Sequence, residues 1–154
     1  MEIKTYEDLI EWARQLHLHL SRCFSECAKN NPDERASALL DYLAGHEAEI
    51  GQMTAEFEKQ TEEKVLKTRL YDYYESEHRA IRNHGHCDDH YAGLDFDTIA
   101  REVFEFHDQL TELYKSLNLK AEIPEASDLV ESLREMEENE SMRLARQIGA
   151  MNDV

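Results

Sequence analysis

The chain has 154 residues, with 34 Asp or Glu against 17 Lys or Arg and a formal net charge of -17 at pH 7. A surface this acidic repels phosphate backbones and anionic lipid, which argues against nucleic-acid and membrane partners. Only 5 Gly and 2 Pro stand among abundant Leu, Ala, Glu and Arg, a composition that favours helix over strand.

In chain order, the first predicted helix runs from about Tyr6 to Lys29, with Thr5 as its cap and Asp8 three residues on. Leu9, Ala13, Leu16, Leu20, Cys23, Phe24 and Cys27 recur along it at the helical period, and His17 falls inside that stripe. Asn31-Pro32-Asp33-Glu34 opens a second helix with a cap, a first-turn proline and an acidic first turn. Its stripe is Ala36, Leu39, Leu40, Leu43, Ile50 and Met53, with Glu47 four after Leu43 and three before Ile50.

A connection follows over about residues 61–94. Within it, Glu62 to Ser76 extends the second helix or forms a separate one, and Gly85 and Gly93 mark irregular backbone. A third helix follows Asp95 and carries Ile99, Val103, Phe106, Leu110, Leu113, Tyr114 and Leu117, with His107 on the same face. A fourth begins near Pro124 and carries Leu129, Val130, Leu133, Met136, Leu144 and Ile148. Glu137 lies four after Leu133, and Glu140 one turn further along.

The two hairpins are copies at an offset of 90 residues. Thr5 maps to Asp95, Leu9 to Ile99, Leu16 to Phe106, Leu20 to Leu110, Leu39 to Leu129 and Leu43 to Leu133, without a gap. Any two amphipathic hairpins share apolar spacing. An identical His and an identical Glu on the buried stripes, His17 with His107 and Glu47 with Glu137, point instead to internal pseudo-symmetry. Short turns make each hairpin antiparallel, and the long connection spans a bundle end to end. The expected fold is therefore all-α, a ferritin-like up-down-down-up four-helix bundle in one domain over 1–154 (hairpins at about 5–60 and 95–154).

On these residues the chain resembles the rubrerythrin-type branch of the ferritin-like superfamily. In that pattern each hairpin supplies an inward Glu from its first helix and Glu-x-x-His from its second, which together hold two iron or manganese ions. Leu43-Ala44-Gly45-His46-Glu47-Ala48-Glu49-Ile50 and Leu133-Arg134-Glu135-Met136-Glu137-Glu138-Asn139-Glu140 resemble the two Glu-x-x-His segments. His17 and His107 replace the first-helix glutamates, and Ile50 and Glu140 replace the motif histidines. The resemblance implies a metal site of His17, Glu47, His107, Glu137 and Glu140 for one or two iron or manganese ions, zinc being an alternative. If the protein is an enzyme, it implies a rubrerythrin-like oxidoreductase working on oxygen, peroxide or iron.

Two further arrangements stay open. Without metal, His17 would pair with Glu47 and His107 with Glu137, making a structural or interaction module. With faces misassigned by one residue, some of these groups would be solvated. His84, His86, Cys87 and His90, with His78 nearby, could bind zinc or copper but match no zinc signature, and read as solvated or capping residues. Tyr71, Tyr73 and Tyr74 read as cover for the bundle, and Trp12, beside the main stripe, as a candidate subunit contact in a homodimer. Cys23 and Cys27 read as packing residues. With no signal-peptide pattern, no spanning segment and no disulfide framework, the expected location is cytoplasmic.

Overall fold

The computed structural model describes residues 2–70, 81 and 89–152. Five α-helices and a 3-10 turn make up the described fold: α1 (Tyr6–Asn30), α2 (Glu34–Gln60), α3 (Glu63–Leu66), the turn Tyr91–Gly93, α4 (Phe96–Lys120) and α5 (Pro124–Asn152). No named strand occurs among the described residues, only an isolated bridge between Thr5 and Arg69.

The duplication is visible in the backbone bonds. α1 and α4 span 6–30 and 96–120, so both ends keep the offset of 90. Thr5 closes a capping box on α1, its hydroxyl accepting from Asp8 N at 3.2 Å. Asp95 caps α4 at the equivalent position, its carboxylate accepting from Thr98 N at 2.9 Å. These caps satisfy amides that the first helical turn leaves without partners.

The direction of each helix follows from its connections. Residues 31–33 join α1 to α2, and residues 121–123 join α4 to α5, so each pair is antiparallel. The crossover leaves from the end of the bundle where α1 begins: Tyr6 N donates to Thr68 O at 3.2 Å and Leu70 N to Lys4 O at 2.8 Å. It arrives at the opposite end, where Asn31 Nδ2 donates to the carbonyls of Tyr91 and Leu94, each at 3.0 Å. The chain has thus travelled one helix length, ~38 Å for 25 residues. α4 therefore runs parallel to α2, and the order is up-down-down-up. Arg35, at the start of α2, confirms this end: its guanidinium lies over the Phe96 ring at 4.7 Å and donates to Asn152 Oδ1 at 2.7 Å.

One apolar core fills the bundle. Leu9, Leu39, Leu40, Leu43, Ile50, Ile99, Leu110 and Leu133 have essentially no exposed surface. Three details differ from the expectations above. Trp12 is 8 % exposed and belongs to this core, so it offers no free face for a subunit contact. Past Ile50 the inner face of α2 passes to Gly51 and Thr54, with Met53 half-buried. Cys23 is disulfide-bonded, its partner lying outside the described residues, while Cys27 is a buried free thiol. Among the described residues no helix is long and apolar enough to cross a membrane. His78, His84, His86, Cys87, Tyr71, Tyr73 and Tyr74 lie outside the described residues.

Asn31 also accepts from Asp33 N at 2.9 Å, so one side chain ties the α1–α2 turn to the end of the crossover. Asn31→Ala leaves two carbonyls and an amide short of partners. It should lower stability by about 1–3 kcal/mol in urea denaturation, and an unchanged midpoint would show that the crossover is held elsewhere.

Candidate metal centre

The four paired ionisable residues sit near the midpoints of their helices, where helices running in both directions meet at one level. His17 is flanked by Leu16 and Leu20, His107 by Phe106 and Leu110, Glu47 by Leu43 and Ile50, and Glu137 by Leu133. That apolar register forces all four inward, and each has 0 % exposure. Glu140 follows at 8 %. The reading in which these groups reach solvent is thereby excluded.

The four close a ring. His17 Nδ1 lies 2.5 Å from Glu47 Oε2, and His17 Nε2 lies 2.7 Å from Glu137 Oε1. His107 Nε2 lies 2.9 Å from Glu47 Oε1, and His107 Nδ1 lies 3.1 Å from Glu137 Oε2. Each imidazole bridges both carboxylates, and each carboxylate bridges both imidazoles. Both pairs expected within a hairpin, His17–Glu47 and His107–Glu137, are present, and two pairs between hairpins complete the set. Phe106 walls one side, its ring edge-on to His17 at 5.8 Å between centroids.

A carboxylate only accepts hydrogen bonds, so four N–H donors are needed and both rings are doubly protonated. Two imidazolium charges then cancel two carboxylates. The electrostatics agree. Burial alone would strip the proton from His17, but Glu137 and Glu47 outweigh it and push its pKa up to about 10. His107 is likewise pushed up to about 9 against burial, chiefly by Glu47. Burial would raise both carboxyls, yet His17 and His107 hold Glu137 down to about 2 and Glu47 well below the carboxylate range.

Glu140 does not join the ring. Its Oε2 lies 3.2 Å from His46 Nε2, and His46 is 3 % exposed, its ring parallel to that of Tyr42. Burial, with the charge of His107, lowers the pKa of His46 against the pull of Glu47 and Glu140. His46 is a buried ionisable residue of the centre that the sequence reading does not single out. Its signal is present: Leu39, Leu43, His46 and Ile50 follow one another at spacings of four, three and four. One donor atom from each of His46, Glu47 and His107 lies within 4.8 Å of the other two, a grouping able to hold a metal ion.

No protein-family model matches the chain, and no curated protein matches it either. Among solved structures, the crystal structure of a Thermotoga maritima protein described as a ferritin-like diiron-carboxylate protein aligns with a TM-score of 0.55. Identity is 15 %, and the alignment covers 96 % of this chain and 97 % of that one.

The chain has the ferritin-like fold.

Within that fold, three imidazoles and three carboxylates gathered in a dry core form a donor set compatible with a metal ion. Among the described residues, His46 Nδ1 is buried without a hydrogen-bond partner, as a ligand atom would be. Ile50 offers no donor at the position where the ferritin-like two-ion pattern places a histidine.

The ring makes stability pH-dependent. In metal-free protein, His17 and His107 hold protons to about 10 and about 9, against 6.5 for an ordinary His. Their contribution is whole below pH 6.5 and is lost as pH rises through 9 to 10. The glutamates are depressed from 4.5, so their contribution is whole above pH 4.5 and is lost in acid towards about 2. Urea stability across this range should therefore peak between pH 4.5 and 6.5. A profile flat from neutral to alkaline pH would contradict the doubly protonated rings. His17→Leu should cost about 3–5 kcal/mol by leaving two buried carboxylates under-partnered, whereas replacing all four residues by Leu should match or exceed wild-type stability.

Proposed function

We propose that this protein is a metal-binding ferritin-like bundle that holds a transition-metal ion, iron or manganese, at the level of Glu47 and His107, with zinc as a redox-silent occupant. The observation that carries this reading is the buried grouping of His46, Glu47 and His107, whose donor atoms lie within 4.8 Å of one another. Bound iron or manganese would supply one-electron chemistry towards oxygen or peroxide, the activity implied by the rubrerythrin-type resemblance.

The chain's own contribution is to hold and shield. Glu47 and His107 belong both to the ring and to this grouping, so they would hold an ion there only by giving up part of their ring hydrogen bonding. His17 and Glu137, bonded to one another at 2.7 Å, lie outside this grouping and would brace it. Leu43, Ile50, Phe106 and Leu110 exclude water, which strengthens every charge interaction inside.

A second reading is favoured by a specific observation, the closure of the ring. Four imidazole nitrogens and four carboxylate oxygens already satisfy one another, so the bundle needs no ion to fold. On this reading the protein is a metal-free structural or interaction module.

Elemental analysis and paired thermal melts separate the two. Purified protein should carry iron, manganese or zinc. Stripped protein should still melt cooperatively, and added metal at 100 times its Kd should stabilise it by about 2.7 kcal/mol. Protein free of metal, with a melt indifferent to chelator and to added ions, would establish the second reading.

A further inference from the structure

Beside the ring stands a polar pair that the duplication does not account for. His46 and Glu140 bond at 3.2 Å, yet the residue 90 after His46 is Met136 and the residue 90 before Glu140 is Ile50. Both counterparts are apolar. An otherwise symmetric core has therefore acquired a histidine and a carboxylate on one side, from opposite hairpins, and in contact. Their place is next to the ring, with the His46 and His107 ring centroids 6.0 Å apart.

The two nitrogens of His46 are in different situations. Nε2 faces a carboxylate that only accepts, so Nε2 carries the hydrogen. Nδ1 is then left with a lone pair. The residue is 3 % exposed, and Nδ1 has no hydrogen-bond partner among the described residues. Burying an acceptor without a donor is unfavourable, so the site is shaped for something that takes electron density. A carboxylate gripping one imidazole nitrogen while the other presents its lone pair is the arrangement that orients histidine towards metal.

We propose that His46 is a metal ligand through Nδ1, that Glu140 orients it instead of binding the ion, and that one ion sits on this side of the ring, held by His46, Glu47 and His107. This inference rests on the reading of the centre as a metal site, and it adds the ligating atom of His46, the single ion and the role of Glu140. Glu140 thereby changes role, from the extra ligand expected of its sequence position to a positioning residue.

Cobalt(II) titration followed by visible absorption tests it on the whole chain. Wild-type protein should saturate at one ion per chain. His46→Ala should weaken binding by more than about 100-fold, and Glu140→Gln by about 10- to 100-fold. Met136→Leu should bind as wild type. In wild-type protein, zinc should shift the 15N resonance of His46 Nδ1 while Nε2 stays protonated, a readout that holds even if His46→Ala fails to fold. Unchanged affinity in His46→Ala, or an unmoved Nδ1 resonance in zinc-loaded protein, overturns the assignment of His46 and leaves the metal reading standing. Two ions per wild-type chain overturn the single position. Wild-type protein that takes up no cobalt, zinc, iron or manganese overturns both.

Discussion

Charge cannot be buried alone, and this bundle is organised around that constraint. Each of four ionisable side chains at 0 % exposure would be prohibitive in isolation. Together they form a neutral set in which every donor meets an acceptor. The set exists only if both hairpins are docked, because half of its bonds cross between them. A misdocked bundle would strand at least one carboxylate and one imidazolium away from water, so the ring disfavours other registers of packing.

The rest of the fold serves that register. α1 and α4 have equal lengths and equivalent caps, so His17 and His107 stand at the same height above their own helix starts. Because the crossover delivers α4 to the end where α1 finishes, those heights are counted from opposite ends of the bundle. Only a residue near mid-helix is then level with its copy. Asn31 at one end and the Thr5–Arg69 bridge at the other hold the crossover along this path.

Much of this was legible in the sequence, for identifiable reasons. The stripes of Leu, Ile and Phe set which face turns inward, and two polar residues repeated in both stripes identified the centre. Glu137 and Glu47 are legible because each lies one turn from a leucine of the core stripe. His46 is harder to read because the same turn also holds Glu47, which has a copy in the other half. His46 has Met136 as its counterpart and so carries no symmetry signal. The cross-hairpin bonds were not legible either, since they depend on rotamers and on the distance between docked hairpins. The bond from Glu140 to His46, likewise, joins residues 94 positions apart with nothing in their spacing to pair them.

The ring also obeys a rule of subunit contacts. His17 bonds Glu137 while His107 bonds Glu47, so exchanging the two halves of the chain returns the same set of bonds. That reciprocity is the property of an isologous interface between identical copies. Two separate molecules of a single such hairpin would have every partner needed to close it, each contributing one base and one acid. Covalent fusion then frees either copy to diverge, and the histidine facing Glu140 is a residue that a strictly twofold assembly would have had to acquire twice.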